Sequence, residues 1–148
     1  MRALIQRVTQ AKVEIIGESE SEIGQGLVML LSIEDEDSQE DITWLVQKIS
    51  KMRIFSDASG KMNASILDLQ RELLIVSQFT LHASTKKGNR PSFIKAARPE
   101  IAIPIYEKFV AQCEEILLVK TGRFGADMRV SLVNDGPVTI WLDSKTRE

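Results

Sequence analysis

Two short runs of purely apolar residues constrain the fold of this chain more than any other feature. Residues 27–31 and 73–76 show no polar alternation, so each run predicts a strand that is buried on both faces. Segments 2–8 and 11–16 are rich in isoleucine and valine and predict two more strands, with Thr9-Gln10 as the turn between them. We therefore expect helices to pack on a sheet built around these strands.

Two segments with a helical spacing of apolar residues predict those helices. Ser38 and Asp41 match the capping-box pattern at the start of the first helix. Pro99 suits the start of the second helix, but Pro104 lies further in, so we expect regular helix only from near Pro104. The apolar faces comprise Ile42, Leu45, Val46 and Ile49 in the first helix and Ile105, Phe109, Cys113, Ile116 and Leu117 in the second.

The remaining segments complete one α/β domain. The strand at 73–76 is predicted to run on through residue 81, and the polar, basic stretch 84–90 is predicted to be a long loop. The C-terminal third predicts strands at 128–133 and 138–142 with a turn between them. Strands and helices alternate without a repeat or a linker, so we expect a single domain over residues 1–148.

Composition and charge narrow the class of protein. Apolar residues make up 43% of the chain and charged residues 27%, which is typical of a globular protein. The single cysteine excludes an intrachain disulfide, and neither a signal peptide nor a membrane span is indicated, so we expect a cytoplasmic location. The net charge of −2 provides no basic field for wrapping a nucleic-acid duplex. If RNA is the substrate, its contact with the protein must be local.

The residue types present limit the chemistry of any active site. His82 is the only imidazole and Cys113 the only thiol, so a catalytic triad would have to use His82 as its base. Cys113 lies on the apolar face of the second helix, where a free cysteine usually acts as a small core residue. These two residues cannot make a zinc site. The acidic run 34–37 leaves carboxylate-only Mg²⁺ binding open, but it fits a solvated loop before a helix better.

An enzyme built from this chain is therefore expected to lack a dedicated general base, a metal and a cofactor. No glycine-rich dinucleotide or phosphate-loop pattern occurs in the sequence. Catalysis would have to depend on positioning and oriented backbone dipoles, or on a group that the substrate supplies.

Two segments, at 77–81 and 134–139, are similar to the signature motifs of the D-aminoacyl-tRNA deacylases. They read Ser-Gln-Phe-Thr-Leu and Asn-Asp-Gly-Pro-Val-Thr, and segments 4–8, 87–93 and 121–124 also resemble the family. The matches occur in order over essentially the whole chain, which makes the resemblance specific. It implies a compact three-layer β/β/α fold that is active as a homodimer, with two sites at the subunit interface.

The resemblance also implies a function. The substrate would be the ester that joins a D-amino acid to the terminal adenosine of tRNA, and glycine mischarged on tRNA(Ala) would be removed as well. L-Aminoacyl-tRNA would be left alone, so the implied role is chiral proofreading in translation. No cofactor is implied.

Ser77, Gln78, Phe79 and Thr80 are the candidate catalytic residues. Near a strand end they present backbone N–H groups and small hydroxyls, which are donors that hold an ester carbonyl and stabilise the oxyanion. The resemblance assigns the catalytic hydroxyl to Thr80. Because no base is obviously in reach, we expect Thr80 to position the substrate while the ribose 2′-hydroxyl assists. Taken alone, the segment would be interpreted as an ordinary sheet strand.

Gly136 and Pro137 have two interpretations. From the residues alone they predict a tight hairpin turn. The resemblance implies instead a cis peptide bond and a backbone wedge that reaches into the partner subunit's pocket and excludes L side chains. Lys86, Lys87 and Arg90 likewise predict either a solvated loop or contacts with the phosphates of the tRNA acceptor stem.

Two other functions remain open at this point. A non-catalytic nucleic-acid-binding module is disfavoured by the negative net charge and by an aromatic content of 5%, which offers few stacking partners for bases. A small-molecule hydrolase or deaminase with a pocket between subunits is the third alternative.

Overall fold

The computed structural model describes residues 1–18 and 20–147, which form a six-stranded mixed β-sheet and a separate two-stranded sheet, with two α-helices packed on one face of the larger sheet. The α/β fold with two main helices that the sequence predicts is confirmed. The strands are β1 (Arg2–Ile15), β2 (Glu20–Ile23), β3 (Gly26–Ser32), β4 (Phe55–Ser56), β5 (Met62–Ala64), β6 (Glu72–Ser77), β7 (Leu118–Thr121) and β8 (Met128–Asp143), and the helices are α1 (Gln39–Lys51) and α2 (Pro99–Glu114).

Strand β1 organises the sheet. It pairs antiparallel with β3 and β2 along one edge and with β8 along the other. Strands β3, β6 and β7 are parallel to one another, and α1 and α2 lie in the connections between them. Parallel neighbours need crossover connections of this kind. As a result, the carboxyl ends of the parallel strands meet at one edge of the sheet.

Strands β3 and β6 are buried on both faces, as the apolar runs at 27–31 and 73–76 predict. Side chains alternate between the faces along each strand. Leu73 and Ile75 of β6 pack with the helices, whereas Leu74 and Val76 pack in a second cluster on the opposite face. Burying one such side chain stabilises the fold by about 1.5–3 kcal/mol, so the two clusters together hold the end of β6 firmly.

The turn predicted at Thr9-Gln10 is wrong, because β1 is one continuous strand. Both residues are exposed, although neighbours in a regular strand point to opposite faces. The pairing of β1 with β8 shifts register between residues 6 and 10, and this irregularity accounts for the break in alternation. A local polar pair in a strand sequence therefore marks a bulge here rather than a turn.

The hairpin predicted near Gly136 and Pro137 is also wrong. The segments on either side of this dipeptide belong to the single strand β8, because both pair with β1. Asn134 pairs with Val8 and Thr139 with Gln6, which leaves the intervening residues of β8 outside the ladder. The dipeptide therefore lies in an outward bulge of a long strand.

The predicted extension of β6 through residue 81 is wrong as well. The strand ends at Ser77, and Phe79–His82 form a turn of 3₁₀ helix. The Gln78 N–H still donates to the Leu31 carbonyl at 2.7 Å, after which the chain leaves the ladder. The short strands β2 and β7 were not predicted from the sequence.

Helix α2 begins at Pro99 rather than near Pro104. The N–H groups of Ile101 and Ala102 donate to the Arg98 carbonyl at 3.0 and 2.8 Å, so the first turn is regular. Pro104 removes one later helical hydrogen bond, and burial of the helix face against the core offsets that loss. The buried residues of α2 are Ala102, Tyr106, Phe109 and Cys113, whereas Ile105 is half-buried and Ile116 is exposed beyond the helix end.

Helix α1 is confirmed together with its cap. The Asp41 carboxylate accepts hydrogen bonds from the Ser38 backbone N–H at 2.9 Å and the Ser38 hydroxyl at 3.0 Å. Burial of Asp41 favours its neutral form, yet hydrogen bonds from Lys145, Ser144 and Ser38 hold its pKa well below the usual range. The four apolar residues of the predicted stripe are all buried.

Candidate active site

A cavity of about 320 Å³ opens at the carboxyl ends of β3 and β6. This volume is at the lower end of the range for small-molecule sites, roughly 300–1,000 Å³. The carboxyl edge of parallel strands is where α/β proteins bind ligands. Ser32 and Ile33 form one wall, and Ser77, Gln78 and Phe79 form the next. Three of the four candidate catalytic residues therefore lie at one cavity.

The fourth candidate, Thr80, follows directly at the cavity rim. Its hydroxyl accepts a hydrogen bond from the side-chain amide of Gln78. The hydroxyl is thus held by a neutral donor. Phe79 is 57% exposed and packs edge-to-face on Phe93, with ring centroids 5.1 Å apart. Contacts with Gln78 and Phe93 therefore hold the turn in place, while much of the Phe79 side chain stays exposed.

The turn also presents backbone donors. The first amides of a helical turn have no acceptor within that turn. Within residues 1–18 and 20–147, neither the Phe79 N–H nor the Thr80 N–H donates a hydrogen bond. Two adjacent unpaired amides at a cavity rim are the arrangement that binds a carbonyl oxygen and the charge that develops on it.

His82 lies on the buried side of the same turn. Its Nδ1 is 2.6 Å from the Ser32 hydroxyl, and its side chain is fully buried. Burial, followed by the positive charge of Arg2, lowers the pKa of His82 to about 4, so the imidazole is neutral near pH 7. His82 does not line the cavity, which argues against a catalytic triad built on it.

Cys113 is not available as a nucleophile either. Its side chain is fully buried in the core against α1 and the sheet. Burial, reinforced by the charge of Glu114, raises the pKa of the Cys113 thiol to about 12. A thiol with so little thiolate is inert, as the sequence predicts.

The segment after β7 forms the far wall of the cavity. Phe124, Ala126, Met128 and Val130 line it, and Phe124 packs edge-to-face on Tyr106 at 5.6 Å. These residues were not predicted from the sequence to belong to the site. The only signal was that 121–124 resembles a family segment, without any assigned role.

The Gly136-Pro137 dipeptide lies outside the cavity of its own chain. Both residues are exposed, their peptide bond is cis, and Gly136 has φ +120°. The Arg7 guanidinium is 3.1 Å from the Asp135 carboxylate. The Asn134 side chain bridges the bulge by donating to the carbonyls of Arg7 and Val138, both at 2.9 Å. The bulge is thus rigidly held while its tip projects outwards.

Lys86, Lys87 and Arg90 lie on a short hairpin, which we call the basic hairpin (residues 84–92). Ser84 and Ser92 close it through reciprocal backbone hydrogen bonds of 2.8 and 2.9 Å. All three cations are exposed. Since Phe93 follows directly and packs on Phe79, the basic hairpin stands beside the cavity rim.

The acidic loop 34–37 is only partly solvated. Asp35 and Glu36 are exposed, as expected, but Asp37 is buried and pairs with the amino-terminal ammonium. Asp37 also accepts a hydrogen bond from the Glu34 N–H at 2.9 Å. In the part of the chain that the structure describes, no group of three or more His, Cys, Asp or Glu side chains is arranged to hold a metal ion. No helix there is long and apolar enough to span a membrane.

The fold and the cavity define a small α/β protein with a site made of backbone amides, hydroxyls and apolar walls. The family model described as D-Tyr-tRNA(Tyr) deacylase matches residues 4–143. A D-aminoacyl-tRNA deacylase of Flavobacterium johnsoniae is 58% identical over the full length of both chains. The chain therefore belongs to the D-Tyr-tRNA(Tyr) deacylase family.

Solved structures agree on the fold. One titled c-Myc DNA Unwinding Element Binding Protein is 46% identical, covers 97% of this chain and 98% of its own, and superposes with a TM-score of 0.91. A second, described as a probable eukaryotic D-amino acid tRNA deacylase, is 17% identical with a TM-score of 0.81 over 95% of this chain and 97% of its own. At that identity, the second likeness concerns the fold alone.

Proposed function

We propose that this protein is a hydrolase that cleaves the ester of D-aminoacyl-tRNA, releasing the free D-amino acid and tRNA. Family membership supports the substrate class. The observation in this structure that carries the proposal is the pair of unpaired amides at Phe79 and Thr80, beside a cavity. Neither His82 nor Cys113 lines that cavity, so we assign the lowering of the barrier to donor groups rather than to a nucleophile activated by an imidazole base.

The chemistry follows from those donors. The ester carbonyl oxygen accepts from the Phe79 and Thr80 N–H groups, and water adds to the carbonyl carbon. The charge that develops on the oxygen is stabilised by amides that are already oriented. The bond between the carbonyl carbon and the ribose 3′-oxygen then breaks, and that oxygen takes up the proton that the attacking water has lost. The Thr80 hydroxyl, held by Gln78, positions the substrate.

Activation of the water is assigned to the substrate. The ribose 2′-hydroxyl lies next to the ester. Because it is part of the substrate, the protein does not need to supply a group for this step. This assignment fits a cavity rim of amides and hydroxyls without a facing imidazole.

Rejection of L-aminoacyl-tRNA is assigned to the bulge at Gly136 and Pro137, which acts from the partner of a homodimer. In support, both residues are exposed and lie outside the cavity of their own chain. Val130, Val133 and Trp141 of β8 are also exposed, which leaves apolar surface for a second copy to cover. A backbone wedge blocks an L side chain, whereas a D side chain or the hydrogen of glycine fits, so glycyl-tRNA is a second substrate.

Contact with tRNA is assigned to the basic hairpin. Lys86, Lys87 and Arg90 are exposed beside the rim, where the acceptor stem must lie when its terminal adenosine enters the cavity. Contacts with phosphates position the substrate without reading its sequence.

The second candidate, a non-catalytic nucleic-acid-binding protein, has one observation in its favour. A solved structure at 46% identity is titled as a DNA-binding protein. The basic hairpin suits either function. The cavity with its unpaired amides suits only the hydrolase.

One assay separates the candidates. The protein is incubated with D-Tyr-tRNA, L-Tyr-tRNA and free D-tyrosine methyl ester, and release of tyrosine is followed. Turnover of D-Tyr-tRNA alone supports the proposal. Turnover of the methyl ester indicates a small-molecule esterase, and binding of tRNA without turnover indicates a binding module.

A further inference from the structure

A buried polar pair, Ser32 and His82, contacts the back of the turn that carries the candidate catalytic amides. Each residue is only 1% exposed. The Ser32 hydroxyl is 2.6 Å from His82 Nδ1 and donates to the Phe79 carbonyl at 3.4 Å. Ser32 also lines the cavity. The pair therefore connects the end of β3 to the turn that follows β6.

The two contacts of the Ser32 hydroxyl indicate the direction of the hydrogen bonds. A serine hydroxyl carries one proton, so donation to the Phe79 carbonyl requires that His82 Nδ1 carries the imidazole proton. The other ring nitrogen, Nε2, is buried without a hydrogen-bond partner in the described part of the chain. Nε2 therefore lacks a partner in either tautomer, since the nearest carboxylate oxygen, Glu34 Oε2, is 4.0 Å away and beyond hydrogen-bond distance. The tautomer with its proton on Nδ1 is the one in which Ser32 keeps both hydrogen bonds.

The bonds then run in one direction, from His82 Nδ1–H to the Ser32 oxygen, and from the Ser32 hydroxyl to the Phe79 carbonyl. That carbonyl belongs to the same peptide unit as the Thr80 N–H. Chains of hydrogen bonds polarise one another in a low-dielectric interior. A carbonyl that accepts a hydrogen bond also fixes the plane of its peptide, and with it the direction of the N–H on the other side.

We propose that Ser32 and His82 are positioning residues, which orient and polarise the Phe79–Thr80 peptide so that the Thr80 N–H stabilises the oxyanion. The expected effect on kcat rests on the proposed deacylase function, whereas the expected effect on the Phe79–Thr80 peptide does not. Arg2 also supports the turn, by donating to the Leu81 carbonyl at 3.1 Å.

Two kinds of measurement test the proposal. In Ser32→Ala and His82→Leu, kcat for D-Tyr-tRNA should fall about tenfold with KM within twofold, because a weakened oxyanion donor costs less than the 10²–10³-fold of a deleted one. The Thr80 amide proton resonance should move upfield in both variants. His82→Asn places an amide donor near the position of Nδ1 and should restore the resonance and much of kcat.

Ser50→Ala is the matched control. Ser50 is as buried as Ser32, and its hydroxyl donates to the Gln47 carbonyl at 3.2 Å, away from the cavity. This variant should leave kcat and the Thr80 resonance unchanged. Should a single variant fail to fold, the double variant Ser32→Ala/His82→Leu replaces both polar partners with apolar groups, which is close to neutral for stability. It should show the same loss of kcat.

An unchanged Thr80 resonance and unchanged kcat in Ser32→Ala, His82→Leu or the double variant overturn the proposal. A loss of kcat that Ser50→Ala reproduces also overturns it, because the effect would then be one of stability. If the wild-type protein does not deacylate D-Tyr-tRNA, the proposed function fails, whereas the Thr80 resonance still decides whether the pair polarises the peptide.

Discussion

Acidification should destabilise the fold through His82, the only imidazole of the chain. Its pKa in the folded protein is lowered to about 4 from 6.5, by burial first and then by the charge of Arg2, against the opposing charges of Asp37 and Asp143. The unfolded chain therefore binds the proton first. The stability contribution of neutral His82 is fully present above pH 6.5 and is lost as the pH falls from 6.5 towards 4.

The magnitude follows from the shift. One pKa unit corresponds to about 1.4 kcal/mol, so His82 alone should cost about 2 kcal/mol of unfolding free energy between pH 7 and pH 5. Carboxylates also titrate on the way down, so the measurement must be a difference. Urea unfolding of wild type and His82→Asn is therefore measured at both pH values. The difference between the two proteins cancels the contribution of the carboxylates that they share.

The wild type should lose about 2 kcal/mol more than His82→Asn between pH 7 and pH 5. Equal losses in the two proteins would show that His82 is solvated or already charged in the fold. In that case the tautomer argued for the Ser32–His82 pair would be refuted as well.

Three further outcomes follow from the proposed site. In Gly136→Ala, the added methyl would lie 2.9 Å from Arg7 Nη2 and would strain a backbone at φ +120°, so the ratio of L- to D-Tyr-tRNA hydrolysis should rise. Gly60→Ala, with φ +78° and open space around it, is the control that should keep the ratio. Replacing Lys86, Lys87 and Arg90 with alanine should raise KM and flatten its salt dependence at constant kcat; an unaltered salt slope would indicate a merely solvated hairpin. D-Tyr-tRNA ending in 2′-deoxyadenosine should react at least ~100-fold more slowly, and a normal rate would exclude assistance by the ribose.

Local patterns predicted the elements whose signal lies within a few residues. The apolar runs of β3 and β6 are central strands, and the Ser38–Asp41 cap starts α1, because burial and capping act locally. The predictions were wrong where the pairing of strands that are distant in sequence determines the local structure. Thr9-Gln10 and Gly136-Pro137 have the composition of turns, yet continuous pairing between β1 and β8 makes both sites bulges.

The residues of the candidate site also divide into those that a local sequence pattern predicted and those that it did not. Ser77 and Phe79 were found because they sit in a recognisable segment, but the polar pair behind them was not. Ser32 and His82 are 50 positions apart; Ser32 has no sequence signal, and His82 stands out only as the single imidazole, without any indication of its partner. Only the parallel pairing of β3 with β6 brings them together. The far wall after β7 was missed for the same reason.

The most direct test of the central claim is to observe where a hydrolysis-resistant substrate binds. An adenosine that carries D-tyrosine through a 3′-amide, in place of the ester, is titrated into ¹⁵N-labelled protein, with the L-tyrosyl compound as the control. The Phe79 and Thr80 amide resonances should shift with the D compound and stay in place with the L compound. Binding of the D compound that perturbs other amides while these two remain unchanged would contradict the central claim.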